Sequence, residues 1–162
     1  MYGKYCQSIL SILDTSMETP KPYGLFHIVW FILSFVAVIP LLWSKKQAPE
    51  RIRRTVLITA IIVIILEVYK QINYSFSYTD GIVFDYQWYA FPFQFCSTPM
   101  YVGLLAGLTK KGKFHESLCA YLTTYAFFAG LGVMFYPTSV FIDTVGINIQ
   151  TMICHGSMIT IA

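Results

Sequence analysis

The sequence predicts an all-α bundle of transmembrane helices, and three observations lead there. The 162-residue chain is 56% hydrophobic and only 12% charged, whereas a soluble domain carries about 25% charged residues. Its mean hydropathy is +0.60. Its apolar residues also gather into runs close to the ~20 residues that cross a bilayer as a helix. Five runs stand out, over residues 23–43, 55–73, 91–109, 116–135 and 146–162. They form one bundle over 23–162, preceded by a segment, 1–22, expected at the membrane interface. The net charge of +3 follows from the loops, so the expected partners are membrane lipids and not nucleic acid. Nothing in the sequence specifies an oligomeric state.

The N-terminal segment lacks the basic start and small-residue cleavage site of a signal peptide. Residues 7–13 suit a short amphipathic helix, which Pro20 and Pro22 would stop. The first span carries His27 about one turn inside its start, and Pro40 near its end, where proline is tolerated. A basic connection follows, with Lys45, Lys46, Arg51, Arg53 and Arg54 against Glu50 alone. The second span begins as plain lipid-compatible sequence and then carries Glu67, Lys70 and Gln71. Its sequel, residues 74–90, is aromatic with Asp80 and Asp85, and suits the interface. The third span opens on FPFQFCSTPMY, Phe91 to Tyr101. The fourth contains Tyr121, Tyr125, Gly130 and Gly132, and small residues let helices approach closely. The fifth holds Asn148, Thr151, Cys154 and His155. Because Ala162 still lies within an apolar pattern, further helix is expected beyond it.

Eight of the eleven Lys and Arg residues fall in the stretches 44–54 and 110–116. Positive residues mark cytoplasmic loops. A plasma membrane of bacterial type is expected, with these loops inside and the N-terminus outside. Polar residues from four spans then meet in the outer half of the bundle: His27, Glu67 with Lys70, Gln94 with Cys96, and His155. Polar side chains at membrane depth require partners or a function, so this layer suggests a pocket.

Each member also has a plain structural role open to it. Glu67 and Lys70, three apart, suit a pair along one helix face. His27 suits a hydrogen-bonded interfacial histidine, and Gln94 a link between helices. Cys119 reads as packing, and Tyr121 with Tyr125 as packing with polar tips. The four cysteines form neither a CxxC pair nor a zinc spacing, so no metal site is expected and no cofactor is called for.

Cys96 and His155 make the stronger proposal. A thiol becomes a nucleophile when a neighbouring base takes its proton. His155 shares a helix face with Asn148 and Thr151, either of which would orient the imidazole, the third role in a triad. Pro99 donates no backbone hydrogen bond and so leaves the Phe95 carbonyl free beside the thiol. Depth weighs against the pair. With ~1.5 Å of rise per residue, a helix starting at 91 puts Cys96 about 8 Å below its start. His155 lies roughly 10–16 Å below its own.

These segments resemble a known family. FPFQFCS is similar to the L-P-L-x-x-C motif of the YwaF-like, transmembrane protein 164 family. CHGS, Cys154 to Ser157, resembles its later histidine-glycine motif. The separation of 59 positions between Cys96 and His155 agrees, and the likeness covers roughly residues 67–158. Phe91 and Phe93 stand where leucines are usual, and Gln94 where many members carry histidine or asparagine. The resemblance implies a bundle of six or seven helices. It also implies an acyltransferase acting on lysophospholipids, with Cys96 the acyl-accepting nucleophile and His155 its base.

Three other readings compete with catalysis. A solute transporter or binding bundle would use Glu67, Lys70, Gln94 and His155 to line a polar cavity, although no inverted repeat is visible. A redox protein would pair Cys96 with Cys154. However, Cys154 and His155 are about 100° apart on a helix, so the two are not expected to face Cys96 together. A structural membrane protein would simply satisfy its polar groups internally.

Overall fold

A computed structural model describes residues 15–43, 49–77 and 82–162. Over these residues the chain is helical, as the apolar runs predict. Its strands are one short antiparallel pair, Phe76–Ser77 against Val83–Phe84. The helices are α1 (Leu25–Trp43), α2 (Pro49–Asn73), α3 (Thr98–Leu108), α4 (Lys113–Tyr121), α5 (Phe127–Phe135) and α6 (Val145–Ile161). A π-turn over Leu122–Ala126 joins α4 and α5 into one rod. Thr123 and Thr124 donate their hydroxyls back to the carbonyls of Cys119 and Ala120, a habit that often accompanies a bend in a helix.

Three of these bodies are long and apolar enough to cross a membrane: Leu25–Leu42, Pro49–Asn73 and the rod Lys113–Phe135. Their outward faces are bare aliphatic surface. Ile32, Leu33, Val36 and Ile39 of α1, and Ile58, Ile61, Ile62 and Ile65 of α2, are all exposed. A water-soluble monomer rarely shows apolar patches of that extent, whereas lipid accepts them. The chain is an integral membrane protein.

The centre of the bundle is α6. Eleven of its residues are buried, among them Asn148, Gln150, Thr151, Cys154 and His155. Glycine at the contacts brings its neighbours in. A Cβ at Gly156 would collide with Ser34 of α1, and one at Gly130 of α5 would come within 2.9 Å of the His155 carbonyl. At its start, α6 is covered by residues 15–17, where Met17 N–H donates to Asp143 O (2.7 Å) and Val145 N–H to Thr15 O (2.9 Å). The amphipathic helix expected at 7–13 lies outside the described residues, as do Lys45, Lys46 and Asp80.

Two boundaries differ from the sequence expectation by more than a turn of helix. Helix α2 starts at Pro49 rather than 55, so Arg51, Arg53 and Arg54 sit on its first turns, with Arg53 paired to Glu50 at 2.8 Å. Proline is well suited to a first helical position, and the helix continues past the apolar run into the basic stretch. The helix expected over 91–109 begins only at Thr98. Residues 91–97 turn instead, with the N–H groups of Ser97 and Thr98 both donating to Gln94 O. Its 11 residues reach about 16 Å at the α-helical rise, roughly half the hydrocarbon thickness.

Candidate functional site

The non-helical run before α3 borders the main polar cavity, of about 460 Å³. Non-helical backbone at membrane depth is tolerated where it is enclosed by protein or lines a cavity. The cavity lies at the end of the bundle away from the basic residues Lys110, Lys111 and Lys113. It is walled by the C-terminal turns of α2, the run 89–97, the 139–142 loop and the first half of α6. Of the residues singled out in the sequence, it brings together Glu67, Lys70, Gln94, Cys96, Thr151 and His155.

Glu67 and Lys70 form the expected pair, Nζ to Oε1 at 2.8 Å, with both side chains buried. Gln71 holds that carboxylate in place. Its Nε2 donates to Glu67 Oε1 (2.9 Å) and to Ala90 O (2.7 Å), while its Oε1 accepts from Tyr86 (2.9 Å). The aromatic run after α2 is thereby tied down over the ion pair. Tyr74 stands at the same wall with Tyr89, ring centroids 5.3 Å apart. Burial, with Tyr89 beside it, pushes the Tyr74 phenol well above its ordinary range.

His155 is buried with one nitrogen committed. Its Nδ1 lies 2.7 Å from Thr151 O. A carbonyl accepts only, so Nδ1 carries the proton and Nε2 of the neutral ring carries the lone pair. Nε2 has no hydrogen bond among the described residues. The sequence reading gave the orienting role to the side chain of Asn148 or Thr151, but the backbone carbonyl of Thr151 fills it. The Thr151 hydroxyl turns instead to Gln150 Oε1 at 3.5 Å.

Cys96 borders the same cavity but makes no hydrogen bond to His155. Its thiol donates to Gln94 Oε1 at 3.8 Å. Gln94 folds the run onto itself, donating to Tyr89 O, and does not link helices. The Phe95 carbonyl is not left free, since Thr98 Oγ1 donates to it at 2.8 Å. Thr98 also meets Tyr121 OH at 2.7 Å. Cys96, Cys119 and Cys154 are all free, so Cys96 and Cys154 are not joined. Both Cys154 and His155 border the cavity, despite their angular separation.

Two expected pocket residues stand elsewhere. Asn148 is buried and closes the turn into α6, accepting from Ile142 N–H (2.9 Å) and donating to Ile142 O (2.7 Å). His27 accepts from Tyr23 N–H at Nδ1 (2.9 Å) and donates from Nε2 to Met134 O (2.9 Å), which pins α1 to α5. With both ring nitrogens committed, it holds the fold. Gln150 is the residue that the sequence reading passed over. It is buried and borders the cavity, and its side-chain N–H groups have no partner among the described residues. An amide in a membrane helix is itself a signal for such a site.

The sequence model of the TMEM164 family matches residues 22–162. No curated protein and no solved structure matches. The match takes in every helix described here, the Cys96 run and the His155 helix, and the chain belongs to the TMEM164 family.

Proposed function

We propose that the chain is a lipid acyltransferase in which Cys96 is the nucleophile and His155 its base. The observation that carries this reading is the fixed tautomer of His155. Its proton is held at Nδ1 by Thr151 O, and Nε2 is left as a proton acceptor in the cavity that Cys96 also borders. Attack requires the thiol to leave Gln94 Oε1 and reach Nε2, and Cys96 is carried on a turn rather than inside a helix. The thiolate then adds to the ester carbonyl of a phospholipid. His155 returns the proton to the departing lysolipid oxygen, and a Cys96 thioester remains. The reverse sequence passes the acyl group to the hydroxyl of another lysophospholipid. Lys70 keeps donor capacity beyond Glu67 and would hold the lipid phosphate, with Gln150 beside it. With the basic end of the bundle cytoplasmic, the cavity belongs to the outer half of the membrane.

The test uses the chain reconstituted in vesicles with a chain-labelled phospholipid and an unlabelled lysophospholipid. Transfer is expected to fall by about a hundredfold or more in Cys96→Ala and in His155→Ala, and a hydroxylamine-labile acyl group should be trapped on Cys96. Undiminished transfer by Cys96→Ala would sink the reading.

A second reading has its own observation. The cavity holds a buried ion pair, Glu67 with Lys70, and the thiol and imidazole are not bonded to each other. A bundle that binds or carries a small polar solute would use the same walls. Solute binding that is lost in Glu67→Gln and kept in Cys96→Ala would favour it.

A further inference from the structure

Among the described residues, a Cys–His contact lies at the opposite end of the bundle. On α4, Cys119 Sγ is 3.5 Å from His115 Nε2. His115 Nδ1 is 3.3 Å from Thr109 Oγ1, and the Thr109 hydroxyl donates to Leu105 O at 2.8 Å. The directions of these bonds follow from one another. The Thr109 proton is committed to a carbonyl, so its oxygen accepts from His115 Nδ1–H. The neutral imidazole then has its lone pair on Nε2, which accepts from the Cys119 thiol. A thiol, a base and a group that orients the base stand in line, the arrangement that activates a nucleophile.

The surroundings suggest what it would attack. Cys119 and His115 border a cavity of about 250 Å³ whose other walls include Val56, Ala106, Leu122 and Ile161. These are apolar. At its rim stand Arg53 and, on the same end of the bundle, Arg51, Arg54, Lys110, Lys111 and Lys113, all five exposed and open to solvent-borne anions. An apolar slot beside a thiol and under a basic rim fits a fatty acyl thioester on a polyanionic carrier such as coenzyme A. Juxtamembrane cysteines are also the usual positions of S-acylation.

We propose that Cys119 is a self-acylation site loaded from a long-chain acyl thioester, with His115 as its base. The Cys119 sulfur bonds to the acyl carbon as its proton passes to His115 Nε2. The carrier's C–S bond then breaks, and the carrier thiolate takes that proton. One thioester is exchanged for another, with no oxidant or reductant.

The test incubates the purified full chain in detergent micelles with alkyne-tagged palmitoyl-coenzyme A and maps the label by peptide. A hydroxylamine-labile label is expected on Cys119 and lost in Cys119→Ser. In His115→Gln, both labelling and the rate of iodoacetamide alkylation of Cys119 should fall about tenfold or more. The Cys119 label should persist in Cys96→Ser. Its loss there would mean that the acyl group arrives from Cys96, which overturns direct loading. Equal labelling of parent and His115→Gln, or label confined to other cysteines, would overturn the proposal as well.

Discussion

His155 Nδ1 donates to the Thr151 carbonyl at 2.7 Å, while His27 accepts a backbone N–H at its own Nδ1 and donates from Nε2 to Met134 O. Both histidines are buried in apolar helices, yet they hold opposite tautomers. Selective ¹⁵N labelling of histidine in a His115→Gln background, read by NMR in micelles, should show one ring protonated at Nδ1 and the other at Nε2. Assignment through His27→Gln and His155→Gln should give the Nδ1–H ring to His155. A proton on Nε2 of His155 would remove the basis for treating it as a base.

Because both nitrogens of His27 are committed to backbone, its replacement tests a structural role. His27→Leu strands the Met134 carbonyl and the Tyr23 N–H. Leaving buried polar groups unsatisfied costs about 1–3 kcal/mol. The midpoint of thermal unfolding in detergent should fall accordingly. Acyl transfer per folded molecule should stay near that of the parent, since His27 is not among the cavity residues. A transfer defect larger than the loss of folded protein would return His27 to the site.

Glu67 is the counter-charge of a buried lysine, so its loss should act through Lys70. Glu67→Gln keeps an oxygen for Gln71 and removes only the charge. Breaking one side of a buried pair typically destabilises by about 3–5 kcal/mol. The combined change Glu67→Gln with Lys70→Met should recover part of that loss, because no unpaired charge then remains. Chemical unfolding of the two variants and of the parent measures the difference. A double variant less stable than Glu67→Gln would show that Lys70 has another partner.

The parts of this architecture that are legible in the sequence are those written in runs and in short spacings. Four apolar runs correspond to α1, α2, the α4–α5 rod and α6, and the i,i+3 spacing of Glu67 and Lys70 does become an ion pair. The start of α3 is not legible that way. Phe91, Phe93 and Phe95 extend the apolar run across a turn made by backbone bonds to Gln94. His27 and His155 look alike in sequence, and only the partner of each ring nitrogen separates a structural residue from a candidate base. The i,i+4 spacing of His115 and Cys119 is visible in KFHESLC, but Cys119 reads as packing until Thr109, just past the end of α3, fixes the imidazole. The central place of α6 is likewise invisible in its own composition, because it depends on glycines in its neighbours and on Gly156 against Ser34.

Gly130 makes that dependence testable at the site itself. A Cβ there would lie 2.9 Å from the His155 carbonyl and 3.0 Å from Met158 Cβ, whereas one at Gly132 would meet nothing within 4 Å. Both glycines are on α5, so helix propensity favours alanine at each by a similar amount, and the difference between the two variants isolates the contact. Gly130→Ala must push α5 away from α6 against backbone, a strain of about 1–3 kcal/mol. It displaces the helix turn that carries His155, so transfer should fall along with stability. Gly132→Ala should leave transfer unchanged and stability equal or slightly raised. Paired measurements of unfolding and transfer decide it, and equal behaviour of the two variants would refute the close approach of α5 and α6 at His155.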